Sequence, residues 1–95
     1  MEIFELRYFL AVAQIENVNR AAEEIHVSAG SLSKAIQRLE HELQTTLFFK
    51  SGRGIKLTPD GLLLKKKAAE ILQLEEDVRL ELTGKETGRM NYAYP

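Results

Sequence analysis

The chain has 95 residues, of which 44% are hydrophobic and 28% are charged, and its formal net charge is −1. This composition is typical of one small folded domain and argues against disorder. Because there are no cysteines and only two histidines, disulfides and thiolate metal sites are excluded and no metal motif stands out. No apolar run approaches the roughly 18 residues of a membrane span, and acids occupy the start where a signal peptide needs bases. We therefore expect a cytoplasmic protein without cofactor or membrane association.

Positive charge is concentrated in the middle of the chain. Residues 28–67 carry eight basic and three acidic side chains, whereas residues 1–27 carry two and five, and residues 68–95 carry three and six. A polyanion could be attracted to this central basic region even though the whole chain is almost neutral.

The first 25 residues predict two helices. In residues 3–15 the apolar positions at helical spacing are Leu6, Phe9, Leu10 and Ala13, with Phe4, Val12 and Ile15 broadening the stripe. Asn17 is a suitable N-cap for a short second helix from Val18 to about Ile25. The adjacent Ala21 and Ala22 would let a neighbouring backbone come close to this helix.

A third helix is predicted over residues 28–43, with Ser28 as its N-cap. Its apolar stripe consists of Leu32, Ile36, Leu39 and Leu43, and its polar side consists of Gly30, Ser33, Lys34, Gln37 and His41. A short helix, a tight turn and a longer helix with a polar outer face form a helix-turn-helix, whose second helix enters the DNA major groove. The alternative is an ordinary amphipathic helix that exposes its polar side to water.

A β-hairpin is predicted next, because β-prone residues 47–50 and 55–57 flank a glycine-containing tip. Two such short strands are not stable alone, so Phe48, Ile55 and Leu57 should pack against the helices. A helix-turn-helix followed by a basic hairpin is a winged helix-turn-helix. The predicted fold class is therefore mainly α, with three helices and a two-stranded β-wing, followed by a long fourth helix.

The fourth helix is predicted over residues 59–83, with Thr58 as N-cap and Pro59 in the first helical position. At 1.5 Å per residue it would be roughly 36 Å long, more than so small a domain needs. Its apolar stripe indicates a coiled-coil interface with a second copy, although packing on other parts of a longer chain is an alternative. The predicted interface residues are Leu64, Ala68, Ile71, Leu72, Val78 and Leu82. The sequence of residues 84–95 predicts a linker followed by the start of a strand.

Ten side chains are predicted to contact DNA: Asn17, Ser28, Ser31, Ser33, Lys34, Gln37, Arg38, Lys50, Arg53 and Thr58. Gln37 suits adenine and Lys34 suits guanine or a phosphate. Arg38 and Thr58 are candidates for the DNA backbone, and the wing residues Lys50 and Arg53 for the minor groove.

The first 62 or so residues resemble the N-terminal domain of LysR-type transcriptional regulators. The matching pieces are Leu6-x-x-Phe9 with Val12-Ala13, Ala21-Ala22, His26-Val27-Ser28, Ser33 with Ile36 and Leu39-Glu40, Leu47-Phe48-x-Lys50, and Leu57-Thr58-x-x-Gly61. The resemblance implies a winged helix-turn-helix in residues 1–58, a dimerising linker helix in 59–83, and a hinge in 84–95 that leads to an effector-binding domain. It also implies a homodimer, or a tetramer at full length, on an interrupted palindrome in double-stranded DNA, with a small-molecule effector on the absent domain.

Five positions depart from the family pattern. Ala29-Gly30 replaces Gln-Pro at the start of the recognition helix, so the DNA contact of that glutamine is not transferred to Ala29. Lys50 replaces an arginine and gives up the bidentate fork. Gln44 replaces a glycine at a turn, and Asn17 replaces a serine that serves as an equivalent cap.

A winged helix can be a protein-interaction module without specific DNA binding, and the absence of overall positive charge keeps that interpretation open. An enzyme is not expected, because the residues contain no recognisable catalytic constellation.

Overall fold

The computed structural model describes residues 1–84. It contains four helices and one antiparallel hairpin, the wing: α1 (Ile3–Ile15), α2 (Val18–Glu24), α3 (Ala29–Leu43), β1 (Phe48–Ser51), β2 (Gly54–Leu57) and α4 (Pro59–Thr83). The predicted fold class, a mainly α winged helix-turn-helix with a long final helix, is confirmed. The rest of the predicted hinge, residues 85–95, lies outside the described residues.

Three of the helices begin at the predicted capping residues. Asn17, Ser28 and Thr58 each accept the backbone N–H of the residue three positions later, at 2.9, 3.0 and 3.0 Å. These bonds satisfy amides that would otherwise lack a partner in the first helical turn. The third helix therefore starts at Ala29 although Gly30 stands where the family pattern has proline.

The core lies where α1, α3, α4 and the segment just before β1 meet. Its largest fully buried side chains are Phe9, Leu6, Leu32, Leu39, Leu47 and Val12. Ala21 and Ala22 are buried too, which confirms that α2 packs closely through its small residues. Two residues that were predicted on the apolar sides of their helices are exposed instead. Phe4 is 44% exposed and Leu43 is 38% exposed, because both lie at helix ends beyond the main core.

The wing is fixed to the helices through its backbone. Ile55 N–H donates to the Glu16 carbonyl at 3.1 Å, and Thr58 N–H donates to the Leu47 carbonyl at 3.0 Å. The strand ends differ from the prediction by one residue, and Gly52 provides the left-handed φ of 60° in the two-residue loop. The helices therefore hold in place a hairpin too short to be stable alone.

Gln44 keeps the left-handed turn for which the family pattern has glycine. Its φ and ψ are 56° and 45°, and its side-chain amide donates to the His41 carbonyl at 2.8 Å. A non-glycine residue in this region is strained, by of the order of 1 kcal/mol. The turn geometry is therefore preserved at a small cost in stability.

The fourth helix matches its predicted bounds, but one side of it belongs to the domain's own core. Ala68 is completely buried, and Leu64, Ile71 and Leu72 pack against the same core. The outer leucines and valine of α4 remain exposed. Among the helices of residues 1–84, none is long and apolar enough to cross a membrane.

Candidate nucleic-acid interface

The first turn of α3 presents short polar side chains. The Ser28 hydroxyl donates to Ser31 Oγ at 2.9 Å and accepts the Ser31 N–H at 3.0 Å. Ser28 is therefore occupied as a cap, whereas the Ser31 hydroxyl still has its own proton to donate. Gly30 has nothing within 4 Å of where a Cβ would be, so the outer surface here is open.

Further along α3, Lys34 and Gln37 point outward and Ser33 is half-buried beside them. Within residues 1–84 the side chains of Lys34 and Gln37 form no hydrogen bond or ion pair. An amide has a donor and an acceptor that match the major-groove edge of adenine, and an ammonium matches guanine or a phosphate. These side chains are thus available to a partner of that chemistry.

The wing stands beside this face of α3. A shallow groove of about 200 Å³ separates them, lined by Ser33, Ile36 and Gln37 from α3, Phe48 and Ile55 from the wing, and also by Val18 and Glu40. The third helix and the hairpin therefore form one continuous surface.

A second group of cations gathers where the wing approaches the start of α2. We call this the basic cleft: Asn17, Arg20, Lys50, Arg53 and Lys56 line two adjoining depressions of about 260 and 180 Å³. Lys56 pairs with Glu16 at 3.2 Å, while the side chains of Arg20, Lys50 and Arg53 have no ion-pair partner within the described residues. The cleft brings together Asn17, Lys50 and Arg53, which the sequence predicted separately.

Sequence reasoning missed Arg20. It lies in the first turn of α2, three residues after the cap Asn17, and its side chain is exposed. The signal available was this spacing, which places Arg20 on the same end of α2 as Asn17. Its proximity to Arg53 could not be predicted from the sequence, because 33 positions separate the two residues.

Arg38 has a partner inside the domain. Its Nη1 lies 3.4 Å from Glu5 Oε2, and the other Glu5 oxygen accepts the Glu2 N–H at 3.0 Å. Glu5 is only 2% exposed, so its carboxylate depends on these contacts. The predicted contact between Arg38 and the DNA backbone therefore competes with an existing ion pair.

Thr58 is similarly engaged. Its hydroxyl donates to the Thr46 carbonyl at 2.7 Å and accepts the Gly61 N–H at 3.0 Å. The only proton of this hydroxyl is therefore used, and Thr58 serves first as the cap of α4.

The exposed apolar surface of α4 differs from the predicted interface. Ala68 has no surface left for a second copy, which corrects its assignment, and Leu64, Ile71 and Leu72 are half-buried against their own core. Val78 and Leu82 are 55% and 82% exposed, so both keep surface that a second copy could contact. Leu63 and Leu74, 56% and 64% exposed, lie within about 60° of Val78 around the helix, and neither is among the predicted interface residues.

Residues 1–84 contain no group of three histidine, aspartate or glutamate side chains arranged to hold a metal ion.

Comparison with known proteins identifies the family. Residues 3–62 match the model of the bacterial regulatory helix-turn-helix proteins of the lysR family. The chain belongs to the lysR family. The HTH-type transcriptional regulator YofA of Bacillus velezensis, a family relative, is 41% identical over 91 residues, which cover 96% of this chain and 31% of YofA. The chain thus spans about a third of that regulator's length.

Solved lysR-family structures have the same fold. The CbnR DBD in its complex with DNA superposes with a TM-score of 0.85 at 34% identity, covering 92% of this chain and all of that one. The BenM DBD in complex with catB site 1 DNA gives a TM-score of 0.86 at 29% identity, covering 98% of this chain and all of that one.

Proposed function

We propose that this chain is the DNA-binding domain of a lysR-family transcriptional regulator and binds a specific sequence in double-stranded DNA. The observation that carries the proposal is the outer face of α3, where Lys34 and Gln37 have no partner within the described residues and stand beside the open first turn. In a helix-turn-helix this part of the second helix reaches base edges in the major groove. The relatives' DNA complexes, of CbnR and BenM, support the same role for this chain.

The wing and the basic cleft supply the contacts that orient the domain on DNA. Arg53 lies in the loop between the strands, where an arginine can enter a narrow minor groove. Lys50 and Arg20 are placed to neutralise phosphates, which fixes position without reading sequence. Asn17 and Ser31 contribute neutral donors at the starts of their helices.

A second copy of the chain completes the site. The chain is divided into a winged helix-turn-helix in residues 1–58, a dimerising linker helix in residues 59–83 and a hinge from residue 84 onward. The exposed face of α4 that would meet the second copy consists of Leu63, Leu74, Val78 and Leu82. Two copies related by a twofold axis would read an interrupted palindrome.

The full-length regulator would act in the bacterial cytoplasm as a dimer or tetramer. The lysR resemblance supports an effector-binding domain after the hinge, where a small molecule would bind. This chain would then contribute DNA binding and no catalysis to the regulator.

The test is selection of duplexes from a random DNA pool by the purified chain at fixed salt. We expect an interrupted palindrome to be enriched. Gln37→Ala should lose discrimination at one symmetric pair of positions, by about 1–3 kcal/mol per base contact. Gln73→Ala, the same substitution on the exposed side of α4, is the matched control and should leave the selected sequence unchanged.

A protein-interaction module is the competing function, and the same material separates the two. If the pool yields no enriched sequence, and the double variant Lys34→Ala, Arg53→Ala binds DNA as the unchanged chain does, specific DNA binding is refuted. A DNA-binding domain instead loses affinity in that variant, because both changes remove unpaired cations from the interface.

A further inference from the structure

A shared carboxylate connects α4 to α1. Arg7 Nη2 donates to Glu75 Oε1 at 2.9 Å, and Arg79 donates to the other oxygen of the same carboxylate. The Glu75 side chain is 27% exposed, against 51% for Arg7 and 56% for Arg79. The acidic residue that interrupts the apolar positions of α4 is therefore held by one guanidinium from each helix.

This contact lies at the outer end of the attachment between α4 and the domain. Leu72 is the last side chain of α4 that packs against the buried core. Within residues 1–84, no hydrogen bond or ion pair joins any part of α4 beyond Glu75 to another element. The Arg7–Glu75 pair is thus the final restraint before the helix projects from the domain.

The direction of α4 has a direct consequence for a dimer. From the buried Ala68 to Leu82 the helix runs about 21 Å, so a tilt of about 10° about Ala68 displaces its end by about 4 Å. That displacement is close to the roughly 3.4 Å separation of successive bases along one DNA strand. Because both copies of a symmetric dimer would tilt, small changes in this angle would change the separation of the two recognition helices by one base pair or more.

We propose that Glu75, held by Arg7, is a positioning residue that sets the angle between the winged helix-turn-helix and α4, and so the half-site spacing that the dimer accepts. The inference rests on the proposed function, dimeric binding to specific DNA. Without the carboxylate, two guanidinium groups that both face position 75 repel each other, and α1 no longer restrains the helix at this point.

The chain provides a closely matched control. Glu76 carries the same side chain one position further along α4, is 51% exposed, and lies within 4.0 Å only of Arg79 on its own helix. Glu75→Gln and Glu76→Gln remove the same charge from adjacent positions, but only Glu75→Gln breaks the connection to α1. Arg7→Gln breaks that connection from the other side.

The experiment measures dissociation constants for the enriched duplex, for versions with one base pair added to or removed from the spacer, and for a single half-site. We expect Glu75→Gln and Arg7→Gln to reduce the preference for the native spacing by about fivefold, the factor for losing partly exposed ion pairs worth about 1 kcal/mol. Half-site affinity should stay unchanged, and Glu76→Gln should behave as the unchanged chain does.

Each result distinguishes the inference from the proposed function. If the unchanged chain selects no sequence, the proposed function fails and the inference fails with it. If the unchanged chain is selective but Glu75→Gln and Arg7→Gln retain its spacing preference, the inference alone is overturned. A loss of half-site affinity equal to the loss on the full duplex would also overturn it, because the residue would then support the domain and not its spacing.

Discussion

Gly54 leaves no room for a side chain between the wing and the turn that follows α1. A Cβ at this position would lie 2.3 Å from the carbonyl oxygen of Glu16. That oxygen belongs to the backbone and accepts the N–H of Ile55 at 3.1 Å, so it cannot move aside as a flexible side chain could. Gly54→Ala therefore forces the wing and the turn apart by about 1 Å to reach ordinary contact distance.

The loss of stability follows from these two contacts. Overpacking costs about 1–3 kcal/mol, and weakening the hydrogen bond from Ile55 to Glu16 adds about 1 kcal/mol. Alanine has less conformational entropy than glycine in the unfolded chain, which offsets about 0.4–1 kcal/mol of this loss of stability. We expect the free energy of unfolding to fall by about 2 kcal/mol, which lowers the Tm of a domain of this size by about 8–16 °C.

The assay is urea and thermal unfolding at one fixed protein concentration. Gly30→Ala is the matched control, because Gly30 lies in an exposed helical turn where an added Cβ would have nothing within 4 Å. We expect that variant to be more stable than the unchanged chain by about 0.5 kcal/mol, since alanine favours the helix. If Gly54→Ala unfolds within about 0.5 kcal/mol of the unchanged chain, the wing is not held against Glu16 through this contact.

Two further predictions separate residues that look alike in the sequence. Arg20→Gln should flatten the slope of log affinity for DNA against log salt concentration by about 1.8 for a dimer, because each copy loses one phosphate contact. Arg38→Gln should leave the slope unchanged, because Arg38 already pairs with Glu5. Equal slopes for the two variants would refute the assignment of Arg20 to phosphate. Leu74→Asp should give monomers by light scattering, because it places a charge on the exposed apolar face of α4. Leu62→Asp, the same substitution at a site of similar exposure, should remain dimeric. A dimeric Leu74→Asp variant would place the interface elsewhere.

The bounds of the helices were predictable because the signals that set them are local. Asn17, Ser28 and Thr58 each cap a helix through the amide three residues ahead, so the sequence contains both partners of the bond within one turn. The wing was predictable as a hairpin for a similar reason, since its glycines lie between two short β-prone runs. Its strand ends were off by one residue because Ser51 pairs with Gly54, so the strands extend closer to the loop than the β-prone residues do.

The site was predictable only in part. Lys34 and Gln37 follow from the helical period of α3 alone. Arg20 was missed and Arg38 acquired an internal partner, because both outcomes depend on which helix packs beside which. Similarly, the period of α4 predicted an apolar helix, but it could not say that Ala68 would be covered by the domain itself while Leu74 stayed exposed.

By itself, then, the sequence determined the order, the type and nearly all the limits of the elements, and the residue types on the outer face of α3. The tertiary structure decided which charges are paired and which side of the long helix is free. The physical reason is the range of the interactions: a cap joins residues three apart, whereas Arg38 meets Glu5 across 33 positions and Arg7 meets Glu75 across 68. Contacts over such distances exist only once α1, α3 and α4 have packed around the shared core.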